Sequence, residues 1–359
     1  MIHVGDTQES ERVEIPIFHT GVFGQSGVGK TKLLKYMISQ VVNEGYSVLI
    51  FDAKITGPEF EDIGLEIPFY LEESTDPDVF RSLIEGMRPR GKGNMERYRG
   101  GFIEVCDPGD GKPAKDFKEI GERLDEKLTD KKIRGYTRSM YSEIKRDYRK
   151  LMELLSDHKF APEVMGGGEK IIRMPTWKLP NLNLQGLIVA STTEYALKYL
   201  RKVIVLVDEA PNFVSQKEFN PAKSSLQRLD AQGRKGEVFG WYSGQTITGF
   251  DKANMKNLWY WIMGREMERN EAKDVYETQS SKVLKIDEIK TLKVRQFIVS
   301  TPDITKLVTV PKIEEKELFP RGSWEGLIRG TEQEAYQRAP SPEDWEDVYQ
   351  RAEEVLSKA

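Results

Sequence analysis

Residues 24–31 read GQSGVGKT and meet the pattern G-x-x-x-x-G-K-[ST] through Gly24, Gly29, Lys30 and Thr31. Glycines at this spacing let backbone N–H groups turn inward around phosphate oxygens. The lysine reaches the β- and γ-phosphates, and the threonine hydroxyl is suited to Mg²⁺. A helix opening at Thr31 adds the positive end of its dipole. The candidate nucleotide-binding set is therefore Gly24, Gln25, Ser26, Gly27, Val28, Gly29, Lys30, Thr31 and Lys32.

A phosphate loop needs an acid near its metal, and VIVLVDEAPNF supplies two. Val203–Val207 is a fully apolar run of strand length whose carboxyl end presents Asp208 and Glu209. Asp208 is placed to hold Mg²⁺ with Thr31, and Glu209 to orient and polarise the attacking water. A glutamate beside the metal aspartate suits hydrolysis better than transfer to a substrate hydroxyl, which disfavours a small-molecule kinase. No NKxD-type guanine motif is present, so ATP is the expected nucleotide. A third segment, AQGRKGEVFGWYSGQTITGF, ends a helix at Gly233 and then runs a strand to Gln245. In a parallel sheet the strand ends face the nucleotide crevice, where an amide can contact the γ-phosphate. Arg234 lies ahead of that strand, on the far side from its own crevice, and could reach a neighbouring subunit's nucleotide as an arginine finger. A buried amide for Gln245 and a solvated charge for Arg234 are the plainer alternatives.

These groups need a scaffold that brings strand ends together. IPIFHTGVF leads into the glycine loop, and a helix follows with Leu33, Leu34, Met37, Ile38, Val41 and Val42 on one face. SVLIFD then completes a βαβ unit. Val203–Val207, Val238–Tyr242 and Leu258–Met263 are further strand candidates, and QFIVS pairs with KLVTV in a hairpin. The pattern predicts an α/β fold with a mostly parallel sheet. The core is expected over residues 15–87 and 170–312, with a largely helical, basic insertion at 88–169 and a C-terminal helical tail at 313–359. Within the insertion FIEVC reads as a short strand. Residues 116–157 read as helix, with Ile133, Tyr136, Met140, Tyr141, Ile144, Tyr148, Leu151, Met152 and Leu155 on one stripe, and Gly166–Gly168 close the segment. In the tail, Ser341 and Pro342 open a helix with Trp345, Val348, Tyr349, Ala352, Val355 and Leu356 on one side.

The 359 residues carry a formal charge of −4, so any polyanion contact must come from a local patch. Cys106 is the only cysteine, which excludes an intrachain disulfide and points to a reducing, cytoplasmic compartment. No apolar run reaches the length of a membrane span, and no metal-ligand spacing occurs among His3, His19 and His158.

In their order and content, GQSGVGKT, VIVLVDEAPNF, GRKGEVFGWYSGQT and NLWYWIMGRE resemble the HerA–FtsK family of P-loop ATPases. The resemblance implies a RecA-like core and a homo-hexamer with ATP and Mg²⁺ at subunit interfaces. It implies movement of double-stranded DNA, with accessory loading, nuclease or coat partners. It assigns nucleotide and metal to Lys30 and Thr31, metal and water to Asp208 and Glu209, and γ-phosphate sensing to Gln245. Arg234 becomes the trans-acting finger, with Arg265 a second candidate.

Residues 131–150 supply a local cationic excess, eight Lys/Arg against two acids, and RPRGKGNMERYRG at 88–100 is a second basic segment. Facing a ring channel, either would hold phosphates without reading sequence; the plainer alternative is a solvated helix face. Two other functions compete with a DNA motor: an ATPase that powers protein secretion or pilus assembly, and a nucleotide-dependent switch or adaptor.

Overall fold

The computed structural model describes residues 1–54, 59–66, 77–86, 98–109, 112–157, 170–179, 182–215, 220–247, 249–312 and 318–319. Their centre is one 11-stranded sheet. The strands are β1 (Ile2–Asp6), β2 (Arg12–Ile15), β3 (Thr20–Phe23), β4 (Ser47–Phe51), β5 (Leu65–Glu66), β6 (Ile171–Met174), β7 (Val203–Val207), β8 (Val238–Gly244), β9 (Tyr260–Met263), β10 (Gln296–Ser300) and β11 (Thr305–Thr309). Their order is β2-β1-β11-β10-β9-β3-β8-β7-β4-β6-β5. From β9 to β5 every neighbouring pair is parallel, and from β2 to β9 every pair is antiparallel. The mostly parallel α/β sheet expected from the sequence is present, with an antiparallel extension on one edge.

Alternation along the central strands decides which core each side chain joins. Ile204 and Leu206 face one layer, and Val203, Val205 and Val207 the other. The first layer holds α1 (Lys30–Asn43), whose buried residues Leu33, Leu34, Met37, Ile38, Val41 and Val42 are the predicted stripe. The second layer is built from α2 (Pro77–Gly86), α3 (Arg99–Cys106), α4 (Phe117–Thr129), α5 (Gly135–Asp157), α6 (Leu182–Tyr199) and α7 (Ala222–Gln232). It also includes α8 (Lys252–Asn257), α9 (Arg269–Thr278) and α10 (Ile286–Lys290).

FIEVC is not a strand. It forms the end of α3, because Phe102, Val105 and Cys106 are buried at i, i+3 and i+4 rather than alternately. Phe102 packs edge-on against Phe80 of α2, with ring centroids 5.6 Å apart. The 116–157 region is two helices, broken at Asp130–Arg134. Asp116 caps α4, accepting from Glu119 N at 2.8 Å. Met140, Tyr141, Ile144, Tyr148 and Leu151 are buried as their spacing predicts, whereas Tyr136 is 59% exposed because packing begins one turn later. Strands β1, β2, β5 and β6 go beyond the sequence-derived elements. The glycines 166–168, residues 88–97 and the tail, apart from Leu318–Phe319, lie outside the described residues.

Candidate active site

The glycine loop connects β3, in the middle of the sheet, to α1. Gly29 sits at φ 101° at the start of α1, a conformation that costs a side-chain-bearing residue but not glycine. Neighbouring strands pin the loop: Gly24 N donates to Gly244 O (3.3 Å), Gln25 N to Arg265 O (3.1 Å) and Arg295 N to Val28 O (2.9 Å). The Lys30 ammonium folds onto Gly24 O at 2.5 Å and Gln25 O at 3.2 Å. Burial lowers its pKa, opposed by the carboxylates of Glu209, Asp208 and Glu266.

Asp208 and Glu209 follow β7 next to the loop. Burial raises the pKa of Asp208; its Oδ1 accepts from the Ser243 hydroxyl, while Oδ2 is buried with no hydrogen-bond partner among the described residues. Glu209 takes φ 49° and ψ 41°, a left-handed conformation that costs a glutamate on the order of 1 kcal/mol. The turn Ala210–Asn212 holds it there, with Asn212 N donating to Glu209 O at 2.9 Å. Gln245 Nε2 donates to Glu209 Oε1 at 3.0 Å, so the amide at the end of β8 and the acid at the end of β7 form one unit. Gly244 before it is a steric requirement, since a Cβ there would lie 2.7 Å from Pro211 Cδ.

These groups share a cleft of about 660 Å³, lined by Lys30, Thr31, Asp208, Glu209 and Gln245 and extending to Arg295 and Pro311. Ser26, Gly27, Gly29 and Lys32 also line it. An unpaired buried Asp208 oxygen in one cleft with the Thr31 hydroxyl fits a Mg²⁺ ion that arrives with a phosphate chain.

Arg265 follows β9 beside the loop of its own chain. With the Gln25 amide oriented to satisfy both groups, Gln25 Oε1 accepts from Arg265 Nη2 and Nε at 2.8 and 2.9 Å. Arg234 is exposed, in the turn Gly233–Gly236 at the opposite end of β8. Seven residues of strand span roughly 23 Å, so Arg234 cannot reach the cleft of its own chain.

Residues 4–100 match the family model "Helicase HerA, central domain". Among solved structures, VirB4 of Thermoanaerobacter pseudethanolicus superposes with a TM-score of 0.68 at 14% identity, covering 89% of this chain and 98% of that one. The family similarity therefore spans residues 4–100, and the likeness to VirB4 shows a shared fold over most of the chain. The bacterial conjugative coupling protein TrwB shares this fold with a TM-score of 0.61 at 14% identity, over 87% of this chain and 89% of its own. No curated protein matches the sequence.

Three charged groups carry no motif: Arg295 lines the cleft, while Asp52 and Glu266 do not line it but act electrostatically on Asp208 and Lys30. Asp52, at the end of β4, is buried, with the backbones of Phe60 and Lys54 beside its carboxylate. Burial and then Asp208 raise its pKa to about 6. Its signal was available, since SVLIF ends on an acid as VIVLV does, and Asp208 N donates to Phe51 O at 3.0 Å. Glu266 is buried beside the loop; burial and then Glu271 raise its pKa to about 8. Arg295, at φ 69°, enters the cleft from the antiparallel edge. No sequence pattern marks either of these two.

Proposed function

We propose that the chain hydrolyses Mg-ATP as one subunit of a homo-hexameric ring and couples turnover to movement along double-stranded DNA. The observation that carries this reading is the presence, in one chain, of a hydrolytic cleft and an unpaired cationic hairpin tip. In the cleft Glu209 is the general base: Gln245 holds its Oε1, leaving Oε2 to take the proton of the attacking water. Lys30 moves from the loop carbonyls to the phosphates, and Gln245 is positioned to report the γ-phosphate to Glu209. Thr31 and Asp208 would hold Mg²⁺, which supplies charge neutralisation on the phosphate oxygens. Arg234, unable to reach its own site, acts on the next subunit's nucleotide, while Arg265 holds the loop of its own chain through Gln25.

The hairpin α4–α5 divides its cations into two groups. Lys145 bonds Asp125 Oδ2 (2.8 Å) and Gly121 O (2.9 Å), and Arg146 pairs with Asp147 at 3.3 Å, so both serve the fold. Lys131, Lys132, Arg134 and Arg138 at the tip are exposed and pair with no carboxylate among the described residues. Free cations on a projecting connection suit phosphates in any sequence. No described helix is long and apolar enough to cross a membrane, and we place the motor in the cytoplasm, with accessory proteins loading it.

ATP turnover measured with and without linear duplex DNA across a salt series, in wild type and Glu209→Gln, tests the reading. DNA should stimulate wild type at low salt and progressively less as salt rises, and Glu209→Gln should be inactive in both conditions. Turnover indifferent to DNA but raised by a partner protein complex would assign the motor to protein secretion or assembly instead.

A further inference from the structure

The hydrolytic residues occupy only half of the cleft. In the sheet order, β3 with its glycine loop separates β8, β7 and β4 from β9, β10 and β11. Asp208, Glu209 and Gln245 end strands on the first side. Arg295 precedes β10 and Val310 follows β11 on the second side, at the same end of the sheet because both strands run in an antiparallel ladder from β9. A triphosphate whose γ end meets Glu209 therefore runs across the loop toward Arg295. Resting on the ATP reading above, we propose that Val294, Arg295 and Pro311 form the platform on which the nucleotide's base stacks.

The chemistry of that end matches a flat heteroaromatic ring. Val294 is 55% exposed, an apolar side chain left open at the rim of the cleft. The backbone around Arg295 is fixed three ways: its N–H donates to Val28 O (2.9 Å), its carbonyl accepts from Val310 N (2.9 Å), and Nη1 donates to Val310 O (3.3 Å). These bonds tie the φ 69° conformation to both the phosphate loop and β11, and hold the guanidinium beside the cleft. A guanidinium held flat is a surface on which aromatic rings stack. Tyr36, whose hydroxyl bonds His3 Nδ1 at 2.6 Å, and Lys312 also line this end, and neither is an amide or a carboxylate. Stacking on the π-face binds purines with little discrimination between them.

The test compares binding of ATP, GTP and inorganic tripolyphosphate by calorimetry in wild type, Arg295→Gly and Arg295→Lys. Glycine accepts the left-handed conformation, so the backbone path next to Val28 is kept. Wild type should bind ATP and GTP within a few-fold of each other. Arg295→Gly should weaken both about tenfold, the loss of one stacked cation, while leaving tripolyphosphate affinity unchanged. Arg295→Lys, which keeps charge but loses the flat surface, should weaken ATP nearly as much. Equal weakening of ATP and tripolyphosphate would overturn the platform, because Arg295 would then act only through the phosphate loop. Unchanged ATP affinity in Arg295→Gly would also overturn it. Wild type that binds none of the three would overturn the ATP reading itself, and the platform with it.

Discussion

The cleft and the hairpin tip both present charge, but they keep it differently. At and behind the phosphate loop the charged groups are buried and under-satisfied: Asp208 Oδ2 and Glu266 Oε1 have no hydrogen-bond partner among the described residues, and Asp52 is buried against Asp208. Leaving such groups unpaired in a low-dielectric site is costly, and the cost is recovered only when a specific ligand supplies the missing partner. At the tip, Lys131, Lys132, Arg134 and Arg138 stand in solvent and cost the fold almost nothing. The first arrangement selects one ligand in one geometry. The second suits a phosphate backbone of any sequence, as the proposed motor's grip would require.

The largest effects are expected in the cleft. Lys30→Ala should abolish ATP binding, measured by calorimetry, and Glu209→Gln should keep binding while lowering turnover at least about a hundredfold. An equal mixture of Lys30→Ala and Arg234→Ala subunits should recover turnover that neither has alone, because some interfaces then join an intact Lys30 to an intact Arg234. Absence of recovery would remove Arg234 from the site.

At the tip, changing Lys131, Lys132, Arg134 and Arg138 together to Glu should leave DNA-free turnover intact and remove its stimulation by DNA. In binding titrations that change two of these residues to Ala, the slope of log affinity against log salt should flatten by about 2. An unchanged slope would return the tip to a merely solvated helix end.

The smallest expected effect concerns pH. Burial and Glu271 raise the Glu266 pKa to about 8 from 4.5, so the fold holds a proton that the unfolded chain releases. Stability from this group is full below about 4.5 and is lost as pH rises through about 8. Glu266→Gln should therefore raise the melting temperature by a few degrees at pH 8.5 and change it little at pH 4.5.

How much of this was legible in the sequence depends on whether the information is local. GQSGVGKT encodes its turn and its chemistry in eight adjacent residues, and VIVLVDE encodes a buried strand with its terminal acids. The stripe of α1 needed only helical spacing. FIEVC misled because β-rich residue types outvoted the i, i+3, i+4 spacing that its packing obeys. Strand β1 was unreadable for another reason: it pairs across the whole chain, Asp6 lying opposite Thr309, no local pattern announces that register, and β2 pairs only with β1. Glu266 and Arg295 are single charged residues whose meaning comes from burial and from a positive φ, both set by tertiary structure. The same limit applied to Tyr136, which shares the helical stripe but not the partners that bury Met140.

Displacement of a triplex-forming third strand from linear duplex DNA reads movement rather than hydrolysis. A motor that tracks the duplex should displace that strand only with ATP, lose displacement in Glu209→Gln, and lose it in the tip quadruple Glu variant while that variant still hydrolyses ATP. Wild type that hydrolyses ATP at low salt in the presence of duplex DNA yet leaves the third strand in place would contradict movement along DNA.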